Sequence, residues 1–307
     1  MVIHTSFIKF SKWVLVMVFL VIAAGGIVRM TQSGMGCPDW PKCFGRWIPP
    51  TNASQLPADF EKYLKKQDID HTFNVFHTWT EYLNRLLGAL LGLFLLIQFA
   101  WSTKFWKSNR KIVWLCLFTL LLTGFQAWLG KKVVDTNLSA AKITTHMLVA
   151  LLIAALSFTI IHLLQPVKKI YNRQISIAAI ITLILLVVQI VLGTQVRQQV
   201  DIISKQLTYD NREYWIVKLD YLFYIHRSFS LLIAILCIYL FIQFRKRNVA
   251  VISTYLILLC VMAEIILGLV MAYFNIPAIA QLLHLLLASI LFIALYNNWL
   301  KTSVKAA

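Results

Sequence analysis

Eight long apolar runs, separated by short charged clusters, dominate this chain and restrict what it can fold into. They lie at roughly 11–28, 75–101, 112–130, 143–164, 174–196, 219–243, 249–274 and 279–300. About 20 apolar residues cross the hydrocarbon core of a bilayer, and a helix satisfies its own backbone hydrogen bonds there. The residue balance agrees: 60% of the 307 residues are hydrophobic and 13% are charged, where a soluble domain carries about 25% charged residues. The excess apolar surface must face lipid. The expectation is an all-α integral membrane protein with eight transmembrane helices. The first run starts close to the N-terminus, as in a signal peptide, but no small-x-small cleavage site and soluble domain follow it, so it reads as a retained helix.

The net charge of +17 would suggest nucleic acid or anionic lipid in a soluble protein, but its placement decides otherwise. Eight spans put both termini on one side. That side holds Lys9, Lys12, Lys104, Lys107, Arg110, Lys111, Lys168, Lys169, Arg173, Arg245, Lys246, Arg247, Lys301 and Lys305, and no acid. Ten of the twelve acids lie on the other side, where they largely neutralise the basic residues. This is the positive-inside pattern. Both termini are expected in the cytoplasm, in the cytoplasmic membrane of a bacterium, with lipid as the partner and no role for nucleic acid.

Cys116, Cys237 and Cys260 lie inside apolar runs and read as small core residues. Cys37 and Cys43 lie in the first outer loop, within Cys37-Pro-Asp-Trp-Pro-Lys-Cys43. An oxidising compartment and turn-forming prolines favour a disulfide, against two surface thiols. A zinc site lacks a second ligand pair.

The chain repeats itself. Gln126-Ala-Trp-Leu-Gly130 is followed sixteen residues later by His146, and Glu264-Ile-Ile-Leu-Gly268 sixteen residues later by His284. Gly25 and Arg29 recur as Gly193 and Arg197, and Asn84-Arg85 recurs as His226-Arg227. The chain is therefore expected to form two pseudo-symmetric four-helix bundles, 1–165 and 174–307, with a linker over 165–173. Four spans per copy make the copies parallel repeats about an axis along the membrane normal. The first half carries a long outer loop, 29–71, whose charged stretch 58–70 reads as a solvated helix.

Ionisable groups inside a bilayer are costly and so are functional candidates. His146, His226 and His284 each fall one to two turns inside an inward-running span. Two neutral imidazoles at equal depth can supply both axial positions of a haem iron between helices. The alternative is hydrogen bonding within the bundle; for His226 and His284, on the two inward-running helices of one half, ligation is the stronger reading. Arg227 and Arg85 suit a porphyrin propionate or snorkel to the interface. In the second span His77, Glu81 and Asn84 share a helix face. Asn84 stands where the repeat has His226, and it is a poor iron ligand. Glu81 is either a buried partner for Arg85 or an acid–base group. Glu264, which matches Gln126, reads as a structural hydrogen-bonding group.

At this point the residues resemble a known family, the haem A synthases of the cytochrome oxidase assembly pathway. The resemblance covers nearly the whole chain. It rests on Gly25-Gly-Ile-Val-Arg-Met-Thr-Gln-Ser-Gly34, Gly36-Cys37-Pro-Asp-Trp-Pro-x-Cys43, Glu81-x-x-Asn-Arg85, His146, His226-Arg227 and His284. It implies oxidation of the C8 methyl of haem O, through hydroxylated intermediates, to the formyl group of haem A. It implies a haem b cofactor on His226 and His284, and a substrate haem in the N-terminal half with His146 as one ligand. Glu81 matches the family's functionally important glutamate, and the cysteine pair matches a loop disulfide implicated in passing electrons. Haem O synthase and a quinol or other electron donor are the implied partners. Family members commonly read Glu-x-x-His-Arg where this chain has Glu81-Tyr-Leu-Asn84-Arg85. His77 shares the face and could substitute, but it lies two turns outward, roughly 10 Å along the axis, too far for an unshifted haem. The preferred reading of the substrate site is therefore His146 alone, with Asn84 or water opposite, over a shifted haem that His77 reaches.

Two other classes compete. A dihaem electron-transfer protein, similar to membrane cytochromes b and served by quinol, requires two permanent bis-histidine haems, against which Asn84 argues. A transporter would place polar groups at broken helices near the midplane, whereas these cluster toward one face.

Overall fold

The computed structural model describes residues 2–64, 73–136, 138–165, 172–247 and 252–303. Its long helices are α1 (Val2–Met30), α2 (Val75–Ser102), α3 (Arg110–Asp135), α4 (Ala140–Leu164), α5 (Arg173–Gln206), α6 (Tyr221–Lys246), α7 (Ile252–Tyr273) and α8 (Ala278–Thr302). All eight are long and apolar enough to cross a membrane, and no strand is named among the described residues. Large apolar side chains such as Leu121, Leu231, Ile235 and Leu259 face outward, more than half exposed. That arrangement suits lipid, which is as apolar as leucine. The chain is a multi-pass membrane protein.

Local chemistry sets several helix starts. Asn74, Asn172 and Asp220 accept from the backbone N–H groups of His77, Ile175 and Leu222, each cap worth about 1 kcal/mol. One helix outruns its apolar segment: α5 continues past 196 to Gln206. Hydropathy marks only the lipid-crossing part. Beyond it, the Arg197–Asp201 ion pair, one turn apart, supports the helix. Val200 and Ile203 are meanwhile buried in a cluster with Trp215, Leu219 and Ile276. Within the stretch 58–70 a helix covers Glu61–Leu64, and 65–70 lie outside the described residues. Most of the expected linker, 166–171, also lies outside them.

Contacts divide the chain into two units, Met1–Gln165 and Pro166–Ala307. In the first, α1 packs on α2, α2 on α3, α3 on α4 and α4 on α1. This closed ring places α2 and α4 on a diagonal. In the second, α5 packs on α6, α6 on α7, α7 on α8 and α8 on α5, so α6 and α8 share a diagonal. Polar contacts reinforce each ring: Gln98 on α2 donates to Ser11 on α1 at 2.9 Å, and Ser253 on α7 donates to Asn298 on α8 at 3.0 Å. Such bonds average about 0.6 kcal/mol in membrane proteins, so they refine a packing that shape complementarity must set. The helices on each diagonal carry the candidate site residues.

Candidate functional site

Each of the three candidate ligands, His146, His226 and His284, is held by the helix that precedes it. In the second unit, Gln189 on α5 donates to the backbone carbonyl of His226 at 2.9 Å. One turn later on α5 comes Gly193, where a Cβ would lie 3.1 Å from Cε1 of His226. The first unit repeats the arrangement. Gln126 on α3 donates to the carbonyl of His146 at 2.8 Å, and a Cβ at Gly130 would lie 3.3 Å from Cε1 of the ring. The carboxamide fixes the histidine's backbone while the glycine makes room for its imidazole. His284 is held differently: Oε2 of Glu264 on α7 lies 2.6 Å from its Nδ1, and nothing lies within 4 Å of a Cβ built at Gly268.

The sequence reading found Gln126, Gly130, Glu264 and Gly268 by laying one half on the other, and it missed Gln189. The signal was present. Gln189-Ile-Val-Leu-Gly193 has the same form as Gln126-Ala-Trp-Leu-Gly130 and Glu264-Ile-Ile-Leu-Gly268, but it appears only when every odd-numbered span is laid on every other. The remaining odd-numbered span has Val21-Ile-Ala-Ala-Gly25, with open space at Gly25. It packs on α2, which carries Asn84. Where the histidine is missing, its supporting carboxamide is missing too.

In the second unit the rings of His226 and His284 approach from α6 and α8, with centroids 6.4 Å apart and planes at 76°. Metal–imidazole bonds of about 2 Å on either side of one ion, plus the radius of each ring, call for centroids about 6 Å apart. Nδ1 of His226 is buried with no hydrogen-bond partner. Two imidazoles at this spacing, on diagonal helices, have the donor chemistry that would hold a haem iron. Arg227, beside His226, is exposed.

In the first unit His146 projects from α4, and its Nδ1 is likewise buried without a hydrogen-bond partner. Across the ring on α2, Asn84 is half-buried, with its Oδ1 buried and unbonded. His77 sits in the first turn of α2, where its backbone N–H donates to Asn74.

Glu81 and Arg85 are brought together, and with them the first loop. Cys37 and Cys43 form a disulfide, and both are fully buried. The Glu81 carboxylate is buried, paired through Oε1 with Arg85, and it accepts the Cys37 N–H through Oε2 at 2.8 Å. Arg85 in turn donates to the carbonyls of Cys37 (2.9 Å), Asp39 (2.6 Å) and Lys42 (3.2 Å). The guanidinium thus spans the disulfide ring, using the several donors of its planar fork. Thr78 donates to the carbonyl of Gly36 at 3.0 Å. There the backbones meet so closely that a Cβ on Gly36 would lie 2.3 Å from the carbonyl oxygen of His77; only glycine fits. Asp39 closes the turn by accepting from Phe44 and Gly45 N–H groups. Phe44, Phe60, Tyr63, Phe73 and Tyr82 cover the cystine. The loop is therefore seated on the start of α2, and both readings of Glu81 place it at the same spot: beside Arg85, one turn from Asn84. Cys116, Cys237 and Cys260 are buried and free.

Comparison with known proteins gives the same direction. The family described as cytochrome oxidase assembly protein matches residues 9–296. The chain is 30% identical over 207 residues to the heme A synthase of Pelagibacter ubique, covering 61% of each chain. It is 29% identical to the heme A synthase of Wolbachia sp. subsp. Brugia malayi, over 90% of this chain and 91% of the relative. It is 26% identical to that of Ehrlichia canis, over 94% and 90%.

Proposed function

The chain belongs to the family of cytochrome oxidase assembly proteins, and we propose that it acts there as a haem A synthase, oxidising the C8 methyl of haem O to the formyl group of haem A. The observation that carries this reading is the unequal furnishing of the two rings. The second unit has two histidines whose ring centroids lie 6.4 Å apart, a pair that would hold a permanent haem b. The first has His146 on one diagonal helix and Asn84 on the other, with Val21 where the other odd-numbered spans carry Gln or Glu. One protein ligand suits a haem that enters, is changed and leaves.

In this reading His146 holds the substrate iron, with Asn84 or water opposite. Arg227 serves a propionate in the second unit, while Arg85 is committed to the loop carbonyls and positions Glu81. Glu81 is the proton-transfer group beside the reacting edge of haem O. Haem b, when bound to His226 and His284, supplies one-electron exchange without a change of ligation. The electron donor is a quinol or another carrier, and haem O arrives from haem O synthase. The positive-inside pattern supports cytoplasmic termini, and so an outer position for the disulfide loop.

The test is pigment analysis of purified wild type and Glu81→Gln, with reduced-minus-oxidised spectra. Wild type should carry haem b together with a farnesylated formyl haem. The glutamine variant, which keeps an oxygen for the Cys37 N–H, should retain haem b and lose at least nine-tenths of the formyl haem. Unchanged product would remove Glu81 from the chemistry. Two permanent bis-histidine haems without haem A would establish the dihaem electron-transfer reading instead.

A further inference from the structure

The two candidate axial histidines of the second unit are supported unequally. His226 is held by its backbone, through Gln189, and its buried Nδ1 faces no hydrogen-bond acceptor. Nδ1 of His284 has a carboxylate oxygen of Glu264 at 2.6 Å, though without ideal alignment of the N–H. No basic side chain among the described residues pairs with Glu264 apart from this imidazole, and its other oxygen, Oε1, is buried with no hydrogen-bond partner. A carboxylate in a bilayer-spanning helix with so little compensation is costly. The matching position before His226 is the neutral Gln189, so a carboxamide would meet the packing need at this place. The acid instead sets a proton-accepting oxygen against the imidazole of His284, where the other cradles have an amide against a backbone carbonyl.

We propose that Glu264 is a positioning residue that tunes the haem of the second unit: by taking the Nδ1 proton of His284 into its contact, it makes His284 the more electron-donating of the two axial ligands and favours the oxidised state. This rests on the reading that His226 and His284 hold haem b. The physical basis is general. A carboxylate on the remote nitrogen of a ligating imidazole raises that ligand's basicity. Hydrogen bonding around axial ligands is one of the main controls of haem potential. A negative charge close to the centre also lowers the energy of the ferric form, whose net charge is more positive by one. The consequence is an electron relay biased to release its electron rather than to hold it.

The experiment is a potentiometric titration of the full-length protein in detergent or nanodiscs, comparing wild type with Glu264→Gln and Glu264→Asp. Glu264→Gln should keep a low-spin bis-histidine spectrum while its oxidised-to-reduced ratio at a fixed potential falls about tenfold, a rise of about 59 mV for a one-electron couple. Glu264→Asp, which keeps the charge, should lie between the two. A purely structural role would leave the potential unmoved once the spectrum is kept. A Glu264→Gln ratio within threefold of wild type, with haem retained, overturns the proposal. If Glu264→Gln fails to hold haem, Glu264→Asp decides: a potential raised above wild type supports it, and an identical one overturns it. His284→Ala separates the underlying reading. Loss of the low-spin haem b signature supports ligation by His284, and its persistence would remove ligation itself.

Discussion

The two units are built from the same parts, and they differ at the positions proposed to meet a haem. Each is a closed ring of four long helices with its candidate ligands on one diagonal. In the second unit both diagonal helices carry a histidine, and each histidine has a side chain from the preceding helix holding it. In the first unit one diagonal helix carries a held histidine, His146, and the other carries Asn84 with an unbonded amide oxygen. The first unit has instead a disulfide-bonded loop clamped to α2 by Glu81 and Arg85. On the proposed function, the difference teaches how two similar four-helix rings would divide labour. Two histidines would keep a cofactor in place, whereas a single histidine with a fixed acid nearby would suit a site for turnover.

The strongest challenge to this comparison is at His146. If it is the one protein ligand in the first unit, His146→Ala should remove substrate-haem retention almost wholly, while His77→Ala should leave most of it. Haem O and haem A content per mole of purified protein, with haem b as internal standard, measures both. Equal losses would mean that His77 reaches the iron and that the first unit has a ligand pair after all.

A second intervention turns the first unit toward the second. Asn84→His supplies the missing imidazole, and Val21→Gln adds the carboxamide that the other three odd-numbered spans have in amide or acid form. The double variant should trap haem in the first unit as a second low-spin bis-histidine centre, seen as roughly doubled low-spin haem per protein. Its formyl-haem yield should fall several-fold, because a filled iron position leaves no room for an oxidant. Product formation at the wild-type rate with the second low-spin centre present would break the argument that the open position matters.

Much of this contrast is legible in the sequence, for identifiable reasons. The eight spans stand out because lipid demands long apolar runs, and His146, His226 and His284 stand out because each falls at a similar depth inside an inward-running span. Asn84 could be compared with His226 because an arginine follows each. The clamp on the loop was not legible. Arg85 meets the carbonyls of Cys37, Asp39 and Lys42 across more than forty residues, and backbone acceptors leave no trace in residue identity. Nor was the end of α5 legible, since residues 197–206 are held by an ion pair and a local cluster rather than by lipid. Gln189 is hidden for another reason: laying one half of the chain on the other pairs Gln126 with Glu264, and Gln189 joins them only when neighbouring odd-numbered spans are compared as well.

The smallest expected effects test the cradles themselves. Four glycines end the motif in the odd-numbered spans, and the structure separates them into two kinds. At Gly193 and Gly130 a Cβ would press on the imidazole of His226 or His146, at 3.1 and 3.3 Å from Cε1, while at Gly25 and Gly268 it would meet nothing within 4 Å. Glycine in a helix interior costs roughly 0.5–1 kcal/mol relative to alanine, so alanine at Gly25 or Gly268 should raise thermal stability slightly and leave haem content unchanged. At Gly193 and Gly130 the same gain is set against displacement of a packed ring by a few tenths of an ångström. Overpacking of that kind costs about 1–3 kcal/mol, and here its burden falls on the ligand. Gly193→Ala should therefore weaken haem b retention, and Gly130→Ala should weaken substrate-haem retention to a smaller degree, each leaving the other haem untouched. Thermal unfolding followed together with haem content distinguishes the outcomes. If all four alanine variants behave alike, the glycines serve helix packing in general, and the match between the His146 and His226 cradles loses its meaning for haem.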